Sequence, residues 1–317
     1  MKIDSAIDVA RFLTDEAAAQ DAFAQLRWPN GVTCPLCEGG KKVYEVSYAY
    51  TPKGSETVSV RKQWKCGACR KKFSVTSRSI FEGAHISVGK WIYAIFQMCS
   101  SKKGVSANQL SRELDISYKS AWFMCHRVRE AMLQEPLNGL LGSHGVDGIV
   151  ELDETYVGGK KRNNRHADRT AAAGRKVAVM TLIDREGEVK TVKVPNVRKG
   201  TLQKLARPMV DPSATIMTDR HLSYQGIGEH FAAHWSVDHS ATFVRGIVHT
   251  NFAESYHSLL KRGIVGAFHH VSEKHLPRYL AEFDRRWNTR KERDGSRAIS
   301  VVEMAFGKRL TYKATVG

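Results

Sequence analysis

The sequence predicts a multidomain protein: a small cysteine-rich module, then a helical region, then an α/β domain with a mixed sheet flanked by helices. Three observations predict this order. Two Cys-x2-Cys pairs lie before residue 70, apolar residues recur at helical spacing from about residue 86 to 135, and strands alternate with helices from about residue 146. A length of 317 residues suits two or three domains, and we expect them at 1–80, 81–140 and 145–305.

The charge of the chain predicts a polyanionic partner. Formal net charge is +17, and Lys and Arg are spread along the whole sequence, which favours nucleic acid over a membrane surface. No apolar run reaches the ~20 residues that cross a bilayer, and residues 1–20 are too acidic and polar for a signal peptide. We therefore expect a cytoplasmic protein with double-stranded DNA as its partner and no membrane association.

Two matched cysteine pairs, Cys34 with Cys37 and Cys66 with Cys69, predict a metal site. Each pair can form a tight knuckle that directs both sulfurs at one tetrahedral position, the geometry that suits Zn²⁺. Between the pairs, apolar and polar residues alternate around a Pro-Lys-Gly turn, which predicts a β-hairpin and hence a zinc ribbon. Disulfides fit a cytosolic protein poorly, and a redox Cys-x-x-Cys motif does not explain two matched pairs. Because four protein ligands leave no open position, we expect structural Zn²⁺.

The segment after the ribbon predicts three helices, around Trp91, after a Ser106 cap, and from Ser117 onward. The short link between the second and third helices fits a helix-turn-helix, whose last helix enters the DNA major groove. A three-helix spacer without DNA contacts is the alternative. We expect exposed DNA-contacting residues on the third helix, at its start and nearer its end: Tyr118, Lys119, Ser120, Arg127 and Arg129.

From about residue 146 the pattern predicts three strands, a helix, two strands and a helix. The segments are a β-branched run ending in Asp153, strands at 176–184 and 188–194, a helix within 199–210, a strand ending in Asp219, a possible strand HWSVDHS, and a helix at 250–262. This is the order of elements in an RNase H-like domain.

Three acids of this domain are candidate metal ligands. Asp153 and Asp219 each lie where an apolar strand gives way to polar chain, and in an α/β sheet that edge collects ligand groups. Period two puts Glu151 and Asp153 on one strand face, and Glu254 lies on the helix at 250–262. Three carboxylates at one site suit Mg²⁺ or Mn²⁺, and two such ions can activate an attacking oxygen and stabilise the leaving oxygen of a phosphodiester.

Lys261 completes this arrangement. It lies at i+7 from Glu254, on the same helix face, where it could pair with a DNA phosphate. Taken singly, each strand-end Asp could cap a turn, and a Glu–Lys helix face could be merely solvated. Taken together with the basic charge, the residues favour a metal site beside bound DNA.

These residues give the sequence a resemblance to a known family. ELDETYVGGK, TDRHLSY and HTN-x2-E-x6-KRGIVGAFHHVSEKH resemble the zinc-ribbon branch of the bacterial insertion-sequence DDE transposases, and the resemblance covers nearly the whole chain. It implies an RNase H-like catalytic core whose metal ligands are Asp153, Asp219 and Glu254, with Lys261 as the downstream lysine. It also implies Asn251, one turn before Glu254, as an alternate or supporting ligand.

The resemblance implies a DNA transposase that recognises the terminal inverted repeats of an insertion sequence, cuts a strand at each end and joins the freed 3′-hydroxyl to target DNA. Such a protein works at the bacterial nucleoid, and joining two ends requires at least a homodimer. Two alternatives are a sequence-specific DNA-binding regulator with a non-catalytic RNase H-like domain, and a nuclease that cuts without joining.

A basic stretch between the first two strands of the third domain predicts a mobile loop that grips the DNA backbone, although a solvated charge run would look the same. The predicted phosphate contacts are Lys160, Lys161 and Arg162, together with Arg262 beside the catalytic lysine.

Overall fold

A computed structural model describes residues 3–37, 42–51, 58–133, 139–143, 148–158, 176–238, 244 and 246–316. The chain divides into two compact units, one formed by Met1–Leu133 with Lys291–Gly317 and the other by Gln134–Arg290. Within the described residues, no helix combines the length and the apolar character that crossing a membrane requires.

The secondary structure follows the predicted succession of elements. The helices are α1 Ala6–Thr14, α2 Glu16–Arg27, α3 Val88–Ser100, α4 Ala107–Glu113, α5 Tyr118–Met132, α6 Lys199–Ala206, α7 Asn251–Gly263, α8 Leu276–Asn288, α9 Asp294–Ala305 and α10 Tyr312–Val316. The strands are β1 Val43–Glu45, β2 Tyr48–Tyr50, β3 Ser59–Arg61, β4 Trp64–Cys66, β5 Lys72–Phe73, β6 Ile149–Val157, β7 Val177–Asp184, β8 Val189–Val194, β9 Thr215–Asp219 and β10 Ala233–Val237.

The cysteine-rich module of the first unit is a ribbon of short antiparallel strands. β1, β4 and β5 form one sheet, and β2 pairs with β3 in a second hairpin. The ring of Trp28, directly after α2, packs edge-on against Trp64 and Phe73 of the ribbon. This aromatic cluster supplies a small core that the two short sheets could not build alone. The predicted hairpin and ribbon are confirmed.

A serine cap fixes the start of each of α4 and α5, the two helices of the predicted helix-turn-helix. Ser106 accepts a hydrogen bond from the backbone N–H of Gln109, and Ser117 accepts one from that of Ser120, so each helix begins at its predicted cap. The two helices pack on each other, and α9 packs against α3 and α5. Because α9 belongs to the first unit, the structural boundary falls after Arg290, whereas the sequence suggested a third domain extending to 305.

The second unit is a five-stranded mixed sheet in the order β10-β9-β6-β7-β8. β6, β7 and β8 pair antiparallel, whereas β9 and β10 run parallel to β6. Side chains that alternate along β7 fill two cores: Met180 and Leu182 pack on the α6 side, and Val179 and Ile183 pack on the side of α7 and α8. This is the RNase H-like arrangement, and the predicted fold class is confirmed.

α8 packs along β8, the strand at one edge of the sheet, and side-chain hydrogen bonds hold the helix there. The side chain of Asn288 accepts from the backbone N–H of Val189 at 2.8 Å and donates to its carbonyl at 3.0 Å. One helical turn earlier, buried Asp284 accepts from the backbone N–H of Thr191 at 3.0 Å and from the Tyr256 hydroxyl of α7 at 2.6 Å. α7 and β8 therefore share one buried carboxylate, and burial raises the pKa of Asp284 to about 6.

Candidate metal centre and catalytic site

The four ribbon cysteines converge on one point. Cys34 Sγ lies 3.8 Å from Cys69 Sγ, Cys37 Sγ lies 3.6 Å from Cys66 Sγ, and all four sulfurs lie within 4.8 Å of one another. Sulfurs about 2.3 Å from a tetrahedral zinc are ~3.8 Å apart, whereas disulfide sulfurs are ~2.05 Å apart. A backbone N–H bond from Cys69 is the main cause that lowers the pKa of Cys66 to about 7, which favours the thiolate that zinc binds. The cluster fits one structural zinc ion.

The strand register brings the first two predicted acids side by side. β6 pairs in parallel with β9 so that Leu152 is opposite Thr218, and both residues are fully buried. Asp153 and Asp219 are the next residues on these neighbouring strands, which lie about 4.8 Å apart. Asp219 ends β9 as predicted, but the predicted strand end at Asp153 is wrong, since pairing with β7 continues β6 to Val157. The carboxylate of Asp219 accepts from the backbone N–H of His221 at 3.0 Å, which holds it at the start of the following loop.

Glu254 adds a third negative charge from the first turn of α7. Burial raises the pKa of Asp153 to about 7, and the charges of Asp219, Glu154 and Glu254 act in the same direction. The three carboxylates form a less compact group than the cysteines. Among the described residues, only the four cysteines have potential ligand atoms that all lie within 4.8 Å of one another. Carboxylates whose negative charges together raise the pKa of Asp153 are a set of hard oxygen donors that a divalent cation would stabilise, so these residues fit Mg²⁺ or Mn²⁺.

A buried histidine, His257, contacts Asp153, and the sequence interpretation did not predict this contact. His257 Nδ1 lies 3.4 Å from Asp153 Oδ2, and its Nε2 lies 2.8 Å from Thr181 Oγ1. Burial, with a smaller contribution from the positive charge of Lys261, lowers the pKa of His257 to about 4, so the ring is neutral at neutral pH. Its position at i+3 from Glu254 was the available signal, because that spacing puts both residues on one helix face.

A fourth carboxylate supports the loop after Asp219. Glu154 Oε2 accepts a hydrogen bond from the hydroxyl of buried Tyr224, and Glu154 Oε1 lies 3.4 Å from His221 Nδ1. Burial raises the pKa of Glu154. These contacts link β6, at the residue next to Asp153, to the loop that follows Asp219.

The remaining predicted site residues lie along α7. Lys261 is exposed, and its charge acts on His257, which places it on the face directed at Asp153. Asn251 is exposed at the first position of the helix, and its backbone N–H donates to His249 Nδ1 at 3.4 Å. Arg262 is exposed, with Nε donating to the Ser258 carbonyl of the same helix at 3.1 Å.

The predicted DNA-contacting face of α5 divides into exposed and buried parts. Tyr118 is 53% exposed, Lys119 is exposed with Nζ 4.7 Å from the centre of the Tyr312 ring, and Ser120 is half-buried beside Ser117. The expected exposure of Arg127 and Arg129 is wrong, since they are 7% and 2% exposed; the two residues lie on the side of α5 that packs in the unit. The Arg127 guanidinium instead lies 4.4 Å from the centre of the Phe123 ring. Lys160, Lys161 and Arg162 lie outside the described residues.

Comparisons with known proteins identify two matching family models, a relative and a solved structure. Residues 145–288 match the ISXO2-like transposase domain, and residues 14–72 match the transposase zinc-ribbon domain. An uncharacterized protein in transposable element ISH50 of Halobacterium salinarum is 28% identical over 292 residues, which span 88% of this chain and 92% of the relative. The crystal structure of the Mos1 mariner paired end complex with Mn shares 14% identity and a TM-score of 0.23, covering 60% of this chain and 74% of that one.

The ribbon and the RNase H-like domain together define a transposase, a class of protein that acts on DNA. The chain belongs to the zinc-ribbon DDE transposases of insertion sequences, as the sequence resemblance predicted.

Proposed function

We propose that this transposase binds the inverted-repeat ends of its insertion sequence and performs metal-dependent strand cleavage and strand transfer at the site of Asp153, Asp219 and Glu254. The observation that carries the proposal is the adjacency of Asp153 and Asp219 on the neighbouring parallel strands β6 and β9, with the charge of Glu254 acting on Asp153. These three acids are far apart in sequence, and an ordinary turn-capping role would not require them to interact.

In this proposal the residues have separate tasks. Asp153, Asp219 and Glu254 would hold Mg²⁺ or Mn²⁺, which would supply activation of the attacking oxygen and stabilisation of the leaving oxygen of the scissile phosphodiester. Lys261 pairs with a phosphate next to the scissile bond, because it extends from the same face of α7 as Glu254. Asn251, at the start of α7, supports the site or replaces Glu254 as a ligand.

The DNA contacts we propose lie in both units. Tyr118, Lys119 and Ser120 at the start of α5 read the element end, as the recognition helix of a helix-turn-helix does. Arg262 binds backbone phosphate next to the active site, together with the basic segment that contains Lys160. Because two ends are joined to one target, the working complex contains at least two copies of the chain.

The test is a strand-transfer assay with a labelled duplex made from the DNA that flanks the gene, a target plasmid, and Mg²⁺ or Mn²⁺. We expect Asp219→Asn to lose on the order of 10³-fold in cleavage, because several kcal/mol of transition-state stabilisation depend on the bound metal. Asp211→Asn is the matched control: this half-buried aspartate precedes the opposite end of β9. Full cleavage by Asp219→Asn would refute the metal site.

The same assay separates the alternative functions. Covalent joining of the labelled 3′ end to plasmid identifies a transposase, whereas cleavage without joined product identifies a nuclease. Sequence-specific binding of the duplex with no cleavage in either metal would identify a DNA-binding regulator.

A further inference from the structure

The N-terminus of α7 is capped by a side chain from the sheet. Glu151 of β6 is 0% exposed, and its Oε2 accepts from the backbone N–H groups of Phe252 at 2.9 Å and Ala253 at 3.1 Å. The first N–H groups of a helix have no partners within the helix, and the local cap residue, Thr250, makes no capping side-chain bond. A carboxylate satisfies these donors and interacts favourably with the positive end of the helix dipole.

The other oxygen of Glu151 holds the segment that leads into the helix. Glu151 Oε1 lies 3.0 Å from Arg185 Nε and 3.2 Å from His249 Nδ1. Arg185 also donates from Nη2 to the His249 carbonyl at 3.1 Å. The buried carboxylate is therefore paired with Arg185 and hydrogen-bonded at both oxygens, which a buried charge requires if it is not to destabilise the fold.

These contacts join the strand that carries Asp153 to the helix that carries Glu254, and the metal site depends on the distance between those two residues. Glu151 precedes Asp153 by two residues on the same face of β6, about 6.7 Å along the strand. Its two amide partners immediately precede Glu254 on α7. We infer that Glu151 is a positioning residue: by capping α7 from the strand that carries Asp153, it sets the placement of Glu254 and so the geometry of the metal site. The inference about α7 stands on the contacts alone, and its consequence for metal binding rests on the proposed function.

Hydrogen exchange tests the cap independently of any activity. In Glu151→Gln we expect the amides of Phe252 and Ala253 to exchange at least about tenfold faster than in the wild type, since one strong acceptor is lost. Glu282→Gln is the matched control, because Glu282 is 1% exposed and pairs with Arg286 within α8. Unchanged exchange at the start of α7 would overturn the inference.

A second variant keeps the test decisive if Glu151→Gln does not fold. Glu151→Asp retains the charge opposite Arg185 but withdraws the acceptor from α7 by one methylene. The same acceleration of exchange is expected at Phe252 and Ala253, and wild-type protection in a folded Glu151→Asp protein would equally overturn the inference.

Mn²⁺ affinity, followed by electron paramagnetic resonance on the full chain, tests the consequence for the site. Glu151→Gln should weaken Mn²⁺ binding about 10–100-fold, the range for residues that orient metal ligands. In a Glu254→Ala background the same change should have little further effect, because Glu151 acts through Glu254. Equal losses in both backgrounds would overturn the positioning role. A wild-type chain that binds no Mn²⁺ would refute the proposed metal site instead, and hydrogen exchange would still decide the cap.

Discussion

Replacing Thr181 by Val is a sharp test of how Asp153 is held. Thr181 is fully buried on β7, directly opposite Asp153 in the antiparallel register, and its hydroxyl lies 2.8 Å from His257 Nε2. An ionised Asp153 only accepts hydrogen bonds, so Nδ1 of the neutral His257 ring carries the proton and Nε2 accepts from Thr181. Val has nearly the same shape as Thr, so the variant removes the donor and leaves the imidazole acceptor buried without it.

The expected cost follows from this geometry. An unsatisfied buried acceptor costs roughly 1–3 kcal/mol, and in a unit of this size each kcal/mol lowers Tm by about 2–4 °C. We therefore expect a free energy of unfolding about 2 kcal/mol lower and a Tm decrease of ~4–8 °C. In strand cleavage, a freed imidazole no longer fixes the Asp153 carboxylate, so kcat should fall about tenfold while KM for DNA stays unchanged.

Scanning calorimetry and the cleavage assay measure these two effects. Thr155→Val is the matched control, because Thr155 is similarly buried on neighbouring β6 and its hydroxyl bonds to none of the described residues. If Thr181→Val and Thr155→Val have the same Tm and the same kcat, the contacts from Thr181 through His257 to Asp153 do not support the site.

Three further predictions test the rest of the architecture. Metal analysis should give roughly one zinc per chain for the control Cys125→Ser, whose sulfur lies outside the cluster, and almost none for Cys66→Ser. Equal zinc contents in the two variants would contradict the zinc ribbon. Glu254→Gln should reduce cleavage at least ~100-fold and Asn251→Ala less than tenfold, and the reverse order would make the amide the third ligand. Burial raises the pKa of Asp284 from 3.8 to about 6, so the folded state binds more protons between these values. The contribution of Asp284 to stability should fall by ~2 kcal/mol as pH rises from 4 to 6, and urea unfolding should show a flatter pH dependence for Asp284→Asn.

The elements of the catalytic domain were predictable because local patterns specify them. The strand that ends at Asp219 is an apolar run with an abrupt polar end, and α7 begins within one residue of its predicted start. The predicted strand end at Asp153 is wrong, because pairing with β7 extends β6 to Val157, and the local pattern does not show how far that pairing runs. The two aspartates are neighbours because β6 and β9 pair in parallel. The cysteine spacing was equally informative, because few other structures require two matched pairs.

The supporting contacts were not predictable, because they join residues that no local pattern connects. Glu151 was expected to share a face with Asp153, but nothing in the sequence showed that the start of α7 would lie against it. Arg127 shows the opposite error: charge suggested an exposed residue, whereas packing placed it in the unit with its guanidinium on Phe123. A long aliphatic stem makes arginine compatible with either environment, so residue type alone does not decide.

The sequence by itself determined the zinc ribbon, the order of helices and strands, and the strand end at Asp219, since spacing and periodicity act over a few residues. The tertiary structure alone decided that α9 returns to the first unit, that His257 lies behind Asp153, and that one buried carboxylate joins β6 to α7. These features depend on which distant surfaces pack together, and that choice is made by the whole core rather than by any segment of it.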